Sequence, residues 1–226
     1  MYYDIIIIGG GASGLCLASQ VKTENIKVLV IDHSDRVGKK LLSTGNGKCN
    51  LTNMYACTSE FQSNPENIYP YFTSGNNDFI ETVINAFDCH DSIKMFNNLG
   101  ILTENKNSYI YPRSEQASAV LDMFRNKAEE LGVDVITNLQ PLKFSERSGY
   151  FYVDNYKCEK LVLACGGMSA PGTGSDGTGY EIAKYFGHKI IKPRPVLCGL
   201  HCSDKFFKSI QGVRNDCRVN LVNNKS

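Results

Sequence analysis

Residues 4–15 read DIIIIGGGASGL, and this stretch decides the fold. The apolar, β-branched run that ends at Ile8 predicts a strand buried on both faces of a sheet. Three glycines follow, and the residues from Ala12 to about Lys22 predict a helix. A second apolar run, IKVLVI over residues 26–31, predicts another buried strand. Strand, helix and strand in this short span form a βαβ unit, which predicts an α/β fold with a parallel sheet.

The glycines of this unit have the spacing Gly-x-Gly-x-x-Gly at Gly9, Gly11 and Gly14. Such glycines permit a tight turn, close backbone approach to a pyrophosphate, and close packing of the helix on the strand. Asp32 ends the second strand, where its carboxylate can accept hydrogen bonds from ribose hydroxyls. The context predicts a dinucleotide site, and the alternative is a glycine-rich turn that binds no ligand.

The loop GKKLLSTGNGKCNLTN (38–53) follows the acidic residue directly and is expected to cover the same ligand. Lys39 and Lys40 could neutralise pyrophosphate charge, and Gly45 and Gly47 would let the backbone approach a ring system. The loop lacks the G-x-x-x-x-G-K-[ST] pattern of a P-loop. The alternative interpretation is a solvated basic loop.

Two later motifs extend the pattern. The strand and turn LVLACGG (161–167) can run beneath a dinucleotide because the glycines have no side chains, and together with the first motif it favours FAD over a nicotinamide cofactor. The segment TGSDGTGY (173–180) predicts either a second anion site at a helix start or a flexible loop with a cap at Asp176.

The pattern of apolar and turn-forming residues predicts the remaining elements. It predicts helices over 78–99 (two, broken near 88–91), 114–131 (capped by Ser114) and 176–186. It also predicts a strand over 133–136 and hairpins over 101–111 and 142–153.

Composition limits the other possibilities. The net charge is +1 without a basic tract, so no nucleic-acid surface is indicated. The apolar run at the N-terminus is too short for a membrane span or a signal peptide, which predicts a cytoplasmic protein without a membrane partner. Cys198 and Cys202 would lie about 13 Å apart on a strand, with His201 facing away, so no metal site is expected.

Five stretches together resemble the BaiN/HI0933-like family of NAD(P)/FAD-dependent oxidoreductases, also labelled aminoacetone-oxidase-like. They are GGGASGL (9–15), GKKLLSTGNGKCNLTN (38–53), YPRSEQAS (111–118), ACGGMSAPGTGSDGTGY (164–180) and GHKIIKPRPVLCGL (187–200). The resemblance implies a Rossmann-like FAD-binding domain, which we place at residues 1–192, and the start of a β-rich insertion domain at residues 193–226. It implies FAD contacts at Gly9, Gly11, Ser13, Gly14, Asp32, Lys40, Asn46, Cys49, Asn50 and Gly167.

The resemblance implies that hydride passes from NAD(P)H through FAD to an unsaturated or carbonyl-bearing small molecule. Tyr111, Arg113 and His188 are candidate proton donors or anion contacts, and no catalytic residue is assigned. Family members continue into a C-terminal segment that returns to the flavin domain, so the chain is expected to be an N-terminal portion. Two alternatives remain: a catalytically incomplete FAD-binding fragment and a non-redox use of FAD. The sequence leaves the oligomeric state undetermined.

Overall fold

The computed structural model describes residues 1–21, 23–54, 77–140, 142–194, 204–210 and 213. The strands are β1 (Tyr2–Ile8), β2 (Val28–Ile31), β3 (Thr52–Asn53), β4 (Thr103–Lys106), β5 (Tyr109–Pro112), β6 (Asp134–Ile136), β7 (Phe144–Arg147), β8 (Tyr150–Val153) and β9 (Tyr156–Leu163). The helices are α1 (Ala12–Val21), α2 (Asn77–Ala86), α3 (Cys89–Asn98), α4 (Ala117–Glu130), α5 (Thr178–Tyr185) and α6 (Phe206–Ser209). In the described part of the chain, no helix is long and apolar enough to cross a membrane.

The main sheet has six strands in the order β6-β2-β1-β9-β8-β7. Strands β6, β2, β1 and β9 are parallel, whereas β7 and β8 join the edge of β9 in antiparallel pairing. This arrangement confirms the predicted α/β fold with a mainly parallel sheet. Because parallel strands end at the same edge, the loops after β1, β2 and β9 meet there.

The apolar runs of β1 and β2 are buried on both faces of the sheet, as the sequence predicts. Ile7 and Val30 pack with Ala18 of α1 on one face. Ile6 and Leu29 pack into a second cluster on the opposite face. None of these four strand residues has exposed surface. Burial of such a side chain contributes roughly 1.5–3 kcal/mol to folding, so these runs fix the position of the βαβ unit.

A smaller sheet has the order β3-β5-β4. Strands β4 and β5 form the predicted hairpin, which turns through Asn107 and Ser108 at φ angles of 52° and 70°. The sequence did not predict β3, whose Thr52 pairs with Ile110 of β5. This pairing places the end of the 38–53 loop beside the hairpin.

The predicted start of α4 is wrong. The helix begins at Ala117 with Gln116 at the N-cap and no side-chain capping bond, so Ser114 does not cap it. Glu115 has a φ of 50° and its N–H donates to the Pro112 carbonyl, which makes a separate turn between Ser114 and the helix. Helix α5 likewise begins at Thr178, two residues later than predicted.

The break predicted near residues 88–91 is present between α2 and α3. Asp88 caps α3 through a capping box with Asp91, so the Cys89-His90-Asp91 stretch forms a helix start. The hairpin predicted over 142–153 is present as β7 and β8, and it turns through Ser148 and Gly149.

The chain divides into two compact units, Met1–Ile190 and Ile191–Ser226. The assignment of the second unit to a β-rich insertion domain stays a prediction. Most of residues 193–226, where the insertion domain is predicted, lie outside the described residues, and so do Cys198, His201 and Cys202.

Candidate dinucleotide-binding site

A cavity of about 700 Å³ lies in the first unit, at the carboxyl ends of β1, β2 and β9. Five of the residues predicted from the sequence line it: Gly9, Gly11, Ser13, Asp32 and Lys40. The other five, all in the described part of the chain, are absent from its lining: Gly14, Asn46, Cys49, Asn50 and Gly167. The structure therefore brings together Lys40 and four of the five predicted residues of the βαβ unit, Gly14 being the exception.

Two glycines of the first motif are required by packing within the protein. Gly9 has a φ of 107°, and a Cβ placed there would overlap the carbonyl oxygen of Ala164 after β9. A Cβ on Gly14 would overlap the carbonyl oxygen of Gly9 and lie 3.3 Å from the Ile7 side chain. Gly14 therefore allows α1 to pack directly on β1, as the motif predicts.

Gly11 has a different environment. No atom lies within 4 Å of a Cβ placed on it, and its backbone lines the cavity. The first turn of α1 begins here, since the Leu15 N–H donates to the Gly11 carbonyl at 3.0 Å. The first N–H groups of a helix have no acceptor within it, and the helix dipole is positive at this end. The lining at residues 11–13 therefore suits a phosphate group.

The Asp32 carboxylate is oriented by two backbone donors. The Gly10 N–H donates to Oδ2 at 2.7 Å, and the Ser34 N–H donates to Oδ1 at 2.7 Å. A carboxylate has about four acceptor positions, so each oxygen can accept a further bond from a ligand hydroxyl. The carboxylate lines the cavity in a fixed orientation that suits a ribose diol.

The two lysines of the basic loop have different partners. Lys39 forms an ion pair with Asp35 at 2.6 Å. Lys40 instead donates to the hydroxyls of Ser175 at 3.1 Å and Ser169 at 3.3 Å. Because no carboxylate pairs with Lys40 among the described contacts, its charge is directed to the cavity and to the loop after β9.

The loop after β9 completes this side of the cavity. Burial, followed by the charge of Asp32, raises the pKa of the Cys165 thiol to about 11, so the thiol is protonated at neutral pH. Gly166 has a φ of 75°, and a Cβ there would lie 3.0 Å from the Ser175 hydroxyl. Further along, the Thr178 hydroxyl donates to Asp176 and holds the pKa of that carboxyl below its usual range.

The GNGKCN segment forms a strained turn next to the cavity. Gly45, Asn46, Gly47 and Cys49 all have positive φ angles, between 54° and 84°. A Cβ on Gly45 would lie 3.3 Å from the ring of Tyr111 on β5. Thr44, at the start of this turn, lines the cavity. Burial raises the pKa of the Cys49 thiol, against a smaller lowering by its hydrogen bond with Thr44.

An ion-pair cluster connects this turn to the small sheet. Glu115 pairs with Lys48 at 2.6 Å and also with Lys106 of β4. Lys106 is also 3.6 Å from Glu104 on the same strand. These side chains are substantially exposed, and ion pairs between exposed groups contribute little to the free energy of folding. The cluster therefore mainly holds the turn in position.

The sequence motifs missed one end of the cavity. The missed residues come from the segment after β6, from the start of β7 and from α5, and they are Gln140, Leu142, Phe144, Glu181, Ile182 and Tyr185. No local motif marks them, because they become neighbours only through the pairing of distant strands. The predicted candidates Tyr111, Arg113 and His188 are not part of the cavity lining.

The βαβ unit, the open helix N-terminus and the fixed acidic residue together define a Rossmann-type dinucleotide-binding domain. The model of the HI0933-like protein Rossmann domain matches residues 3–217. The chain therefore belongs to the HI0933-like family, which confirms the resemblance seen in the sequence motifs.

Curated relatives support this assignment. The chain is 33% identical over 220 residues to the 3-dehydro-bile acid delta(4,6)-reductase of Clostridium scindens, and the alignment covers 94% of this chain and 51% of that protein. It is 30% identical over 199 residues to the ribosomal RNA dihydrouridine synthase of Escherichia coli, and the alignment covers 86% of this chain and 47% of that protein. The protein of that name from Haemophilus influenzae is 26% identical over 235 residues, covering 100% and 56%. The chain spans about half the length of these relatives.

A solved structure shows the same fold at low sequence identity. The 3-ketosteroid-delta4-(5alpha)-dehydrogenase from Rhodococcus jostii superposes with a TM-score of 0.51 and 13% identity, over 74% of this chain and 46% of that one.

Gly14 and Gly11 are expected to differ in how much an added methyl group lowers the free energy of unfolding. We expect Gly14→Ala to lower the free energy of unfolding by about 2 kcal/mol or more, because its Cβ meets backbone that cannot move aside. Gly11→Ala should change it by less than about 1 kcal/mol, because its Cβ meets open space. Urea denaturation of the two variants checks this, and equal losses would contradict the packing described.

Proposed function

We propose that the chain is the FAD-binding part of an oxidoreductase that reduces a carbon–carbon double bond conjugated with a carbonyl group. The cavity at the N-terminus of α1, with Gly11 and Asp32 in its wall, is the observation that carries the proposal. Membership of the HI0933-like family supports it. The chain spans about half the length of its relatives, so the activity that they carry as whole proteins is proposed for it here.

The residues of the cavity fit a dinucleotide from its phosphates to its ribose. The free N–H groups of residues 12 and 13 would hold the pyrophosphate, and the Lys40 ammonium would neutralise part of its charge. The Asp32 carboxylate would accept from the ribose hydroxyls, since Gly10 and Ser34 already fix its orientation. The absence of a side chain at Gly11 leaves room for close approach of the phosphate.

FAD, rather than a nicotinamide, is favoured by the two loops on the phosphate side. Lys40 and Ser175 connect the 38–53 loop with the loop after β9, so both contribute to one wall. The wall continues through Thr44 to the GNGKCN turn, which lies beside Tyr111. We propose that Asn46, Cys49, Asn50 and Gly167 contact the flavin end of FAD beyond the described cavity. When bound, FAD supplies hydride transfer between NAD(P)H and the substrate.

The names of two relatives support the substrate class that we propose. A 3-dehydro bile acid with double bonds at positions 4 and 6 is a conjugated ketone. The double bond of uridine that becomes dihydrouridine is conjugated with the carbonyl at position 4 of its ring. Reduction of either adds a hydride to one carbon and a proton to its neighbour, so a proton donor is needed.

Tyr111 is the candidate that the structure favours as this donor. Its ring is half-buried against Gly45 of the turn that we assign to the flavin end. Arg113 and His188 are both exposed. We propose that Tyr111 donates the proton or holds the substrate carbonyl, and that Arg113 and His188 have no part in the chemistry.

A small molecule is the substrate that we propose, and RNA is the second candidate. Two relatives carry the name ribosomal RNA dihydrouridine synthase, which favours RNA. The net charge of +1 argues against a broad phosphate-binding surface on this chain. A reaction supplied by NAD(P)H fits the cytoplasm, which we propose as the location.

The first test concerns the cofactor. Purified chain should take up FAD from solution and acquire the visible absorption of a bound flavin. Gly11→Ala should weaken this binding by about tenfold or more, because its methyl group occupies the space next to the phosphates. Its unchanged unfolding curve is the control, and equal FAD affinities would remove Gly11 from the site.

The second test concerns turnover. With FAD bound, NADH or NADPH should support reduction of a 3-oxo-Δ4 steroid. The reduction is measured as the loss of the absorption of the conjugated ketone. Tyr111→Phe should lower this rate by roughly 10²- to 10⁴-fold without changing FAD affinity, because it removes the proposed proton donor. Tyr109→Phe, on the same strand and exposed, is the matched control.

The alternatives give distinct results in the same assay. Reduction of a uridine-containing RNA but not of the steroid would support the RNA candidate. A flavin that NAD(P)H reduces, without any turnover, would support a catalytically incomplete fragment. A bound flavin that NAD(P)H does not bleach would support a non-redox use of FAD. Equal rates for Tyr111→Phe and Tyr109→Phe would exclude Tyr111.

A further inference from the structure

Glu115 adopts a backbone conformation that is unfavourable for a glutamate. Its φ of 50° lies in the left-handed region, where Cβ crowds the carbonyl oxygen that follows it. Glycine accepts this region without that cost. Non-glycine residues held there cost free energy, and they occur most often where function requires the geometry. The reason for a glutamate at this position must therefore lie in its side chain.

The Glu115 carboxylate joins three separate segments of the chain. Oε2 pairs with Lys48 of the GNGKCN turn at 2.6 Å, and Oε1 pairs with Lys106 of β4. The Glu115 N–H donates to the Pro112 carbonyl at 2.8 Å, which keeps the residue directly after β5. Each carboxylate oxygen thus has its own lysine, and one side chain connects the turn, β4 and the end of β5.

The hairpin presents Lys106 on the same face as the ring of Tyr111. Glu104 pairs directly with Tyr111, and Lys106 lies two residues further along β4. Residues that are directly opposite in a pair, or two apart on a strand, share one face of the sheet. The Tyr111 ring on this face is 3.3 Å from a Cβ placed on Gly45 of the turn. The ion pairs of Glu115 therefore draw the turn toward the face that carries Tyr111.

Stability alone does not account for this glutamate. The Glu115 side chain is 30% exposed, and those of Lys48 and Lys106 are 49% and 41% exposed. Ion pairs between exposed charges contribute little to the free energy of folding, and the left-handed backbone opposes that contribution. Glu115 therefore has a small net effect on stability, whereas its two ion pairs restrict where the turn can lie.

We propose that Glu115 is a positioning residue for the flavin end of the site, and that its carboxylate holds the GNGKCN turn against the ring of Tyr111. The proposal rests on the proposed function, which assigns the flavin to this turn and the proton donor to Tyr111. Because salt screens pairs between exposed charges, the position of the turn depends on ionic strength, and the affinity for FAD depends on it in turn.

Amide hydrogen exchange of the full chain without FAD tests the position of the turn. The reporters are the amides of Lys48 and Cys49, which donate to the carbonyls of Gly45 and Thr44 at 3.2 and 3.1 Å. Glu115→Gln keeps the backbone and the side-chain shape but removes the charge. Both amides should then exchange about threefold to tenfold faster. Added salt should accelerate them in the parent and have little further effect in the variant.

Two further variants separate positioning from stability. Glu115→Gly removes both ion pairs but suits a φ of 50°, so its unfolding curve should stay close to that of the parent. Its turn amides should nevertheless exchange as fast as those of Glu115→Gln. Glu130→Gln is the matched control, because it removes an exposed pair with Lys127, 2.8 Å long, at the other end of α4. It should leave the turn amides at the parental rate.

Titration with FAD gives a second measurement. Both Glu115 variants should bind FAD about threefold to tenfold more weakly than the parent, and Glu130→Gln should bind it equally well. Added salt should lower the affinity of the parent by a larger factor than that of the Glu115 variants, since only the parent has these ion pairs to screen.

The outcomes separate the positioning role from the proposed function. Faster exchange confined to the turn supports the role even if no chain takes up FAD, a result that would remove the FAD proposal alone. Parental exchange, or parental FAD affinity, in both Glu115 variants overturns the role and leaves the FAD proposal intact. Acceleration that extends equally to the amides of β1 shows an effect on global stability and also overturns the role.

Discussion

The contact between Gly14 and the Gly9 carbonyl is the constraint on which the site depends. Helix α1 can lie directly on β1 only because Gly14 has no side chain there. This packing directs the N-terminus of α1 into the cavity and leaves the Gly10 N–H within 2.7 Å of the Asp32 carboxylate. One steric condition thus sets both the exposure of the α1 N-terminus in the cavity and the orientation of the Asp32 carboxylate.

Sequence reasoning predicted the parts of the fold that are encoded locally. The βαβ unit was correct because fully buried strands such as β2 require unbroken apolar runs, and the glycine spacing matches close packing. The start of α4 was wrong for a related reason. Ser114 is a good capping residue, but Glu115 adopts a left-handed conformation that its residue type does not indicate. The chain therefore turns once more before the helix begins.

The site was predictable only in part. The loop pattern alone did not distinguish Lys39 from Lys40, although the family resemblance implied a contact only at Lys40. The structure shows that Asp35 pairs with Lys39 and that Lys40 reaches Ser175. The end of the cavity that Phe144 and Tyr185 line was not predicted at all, because these residues are far apart in the chain. Strand pairing and the ring of Phe186 bring them to one cavity, and no residue spacing records that.

A crystal structure of the chain grown with FAD would show directly whether this cavity holds the flavin dinucleotide. We expect electron density for the pyrophosphate at residues 11–13 and for the ribose within hydrogen-bond distance of Asp32. Density for FAD at another surface, or an empty cavity at saturating FAD, would show that this cavity is not the flavin site.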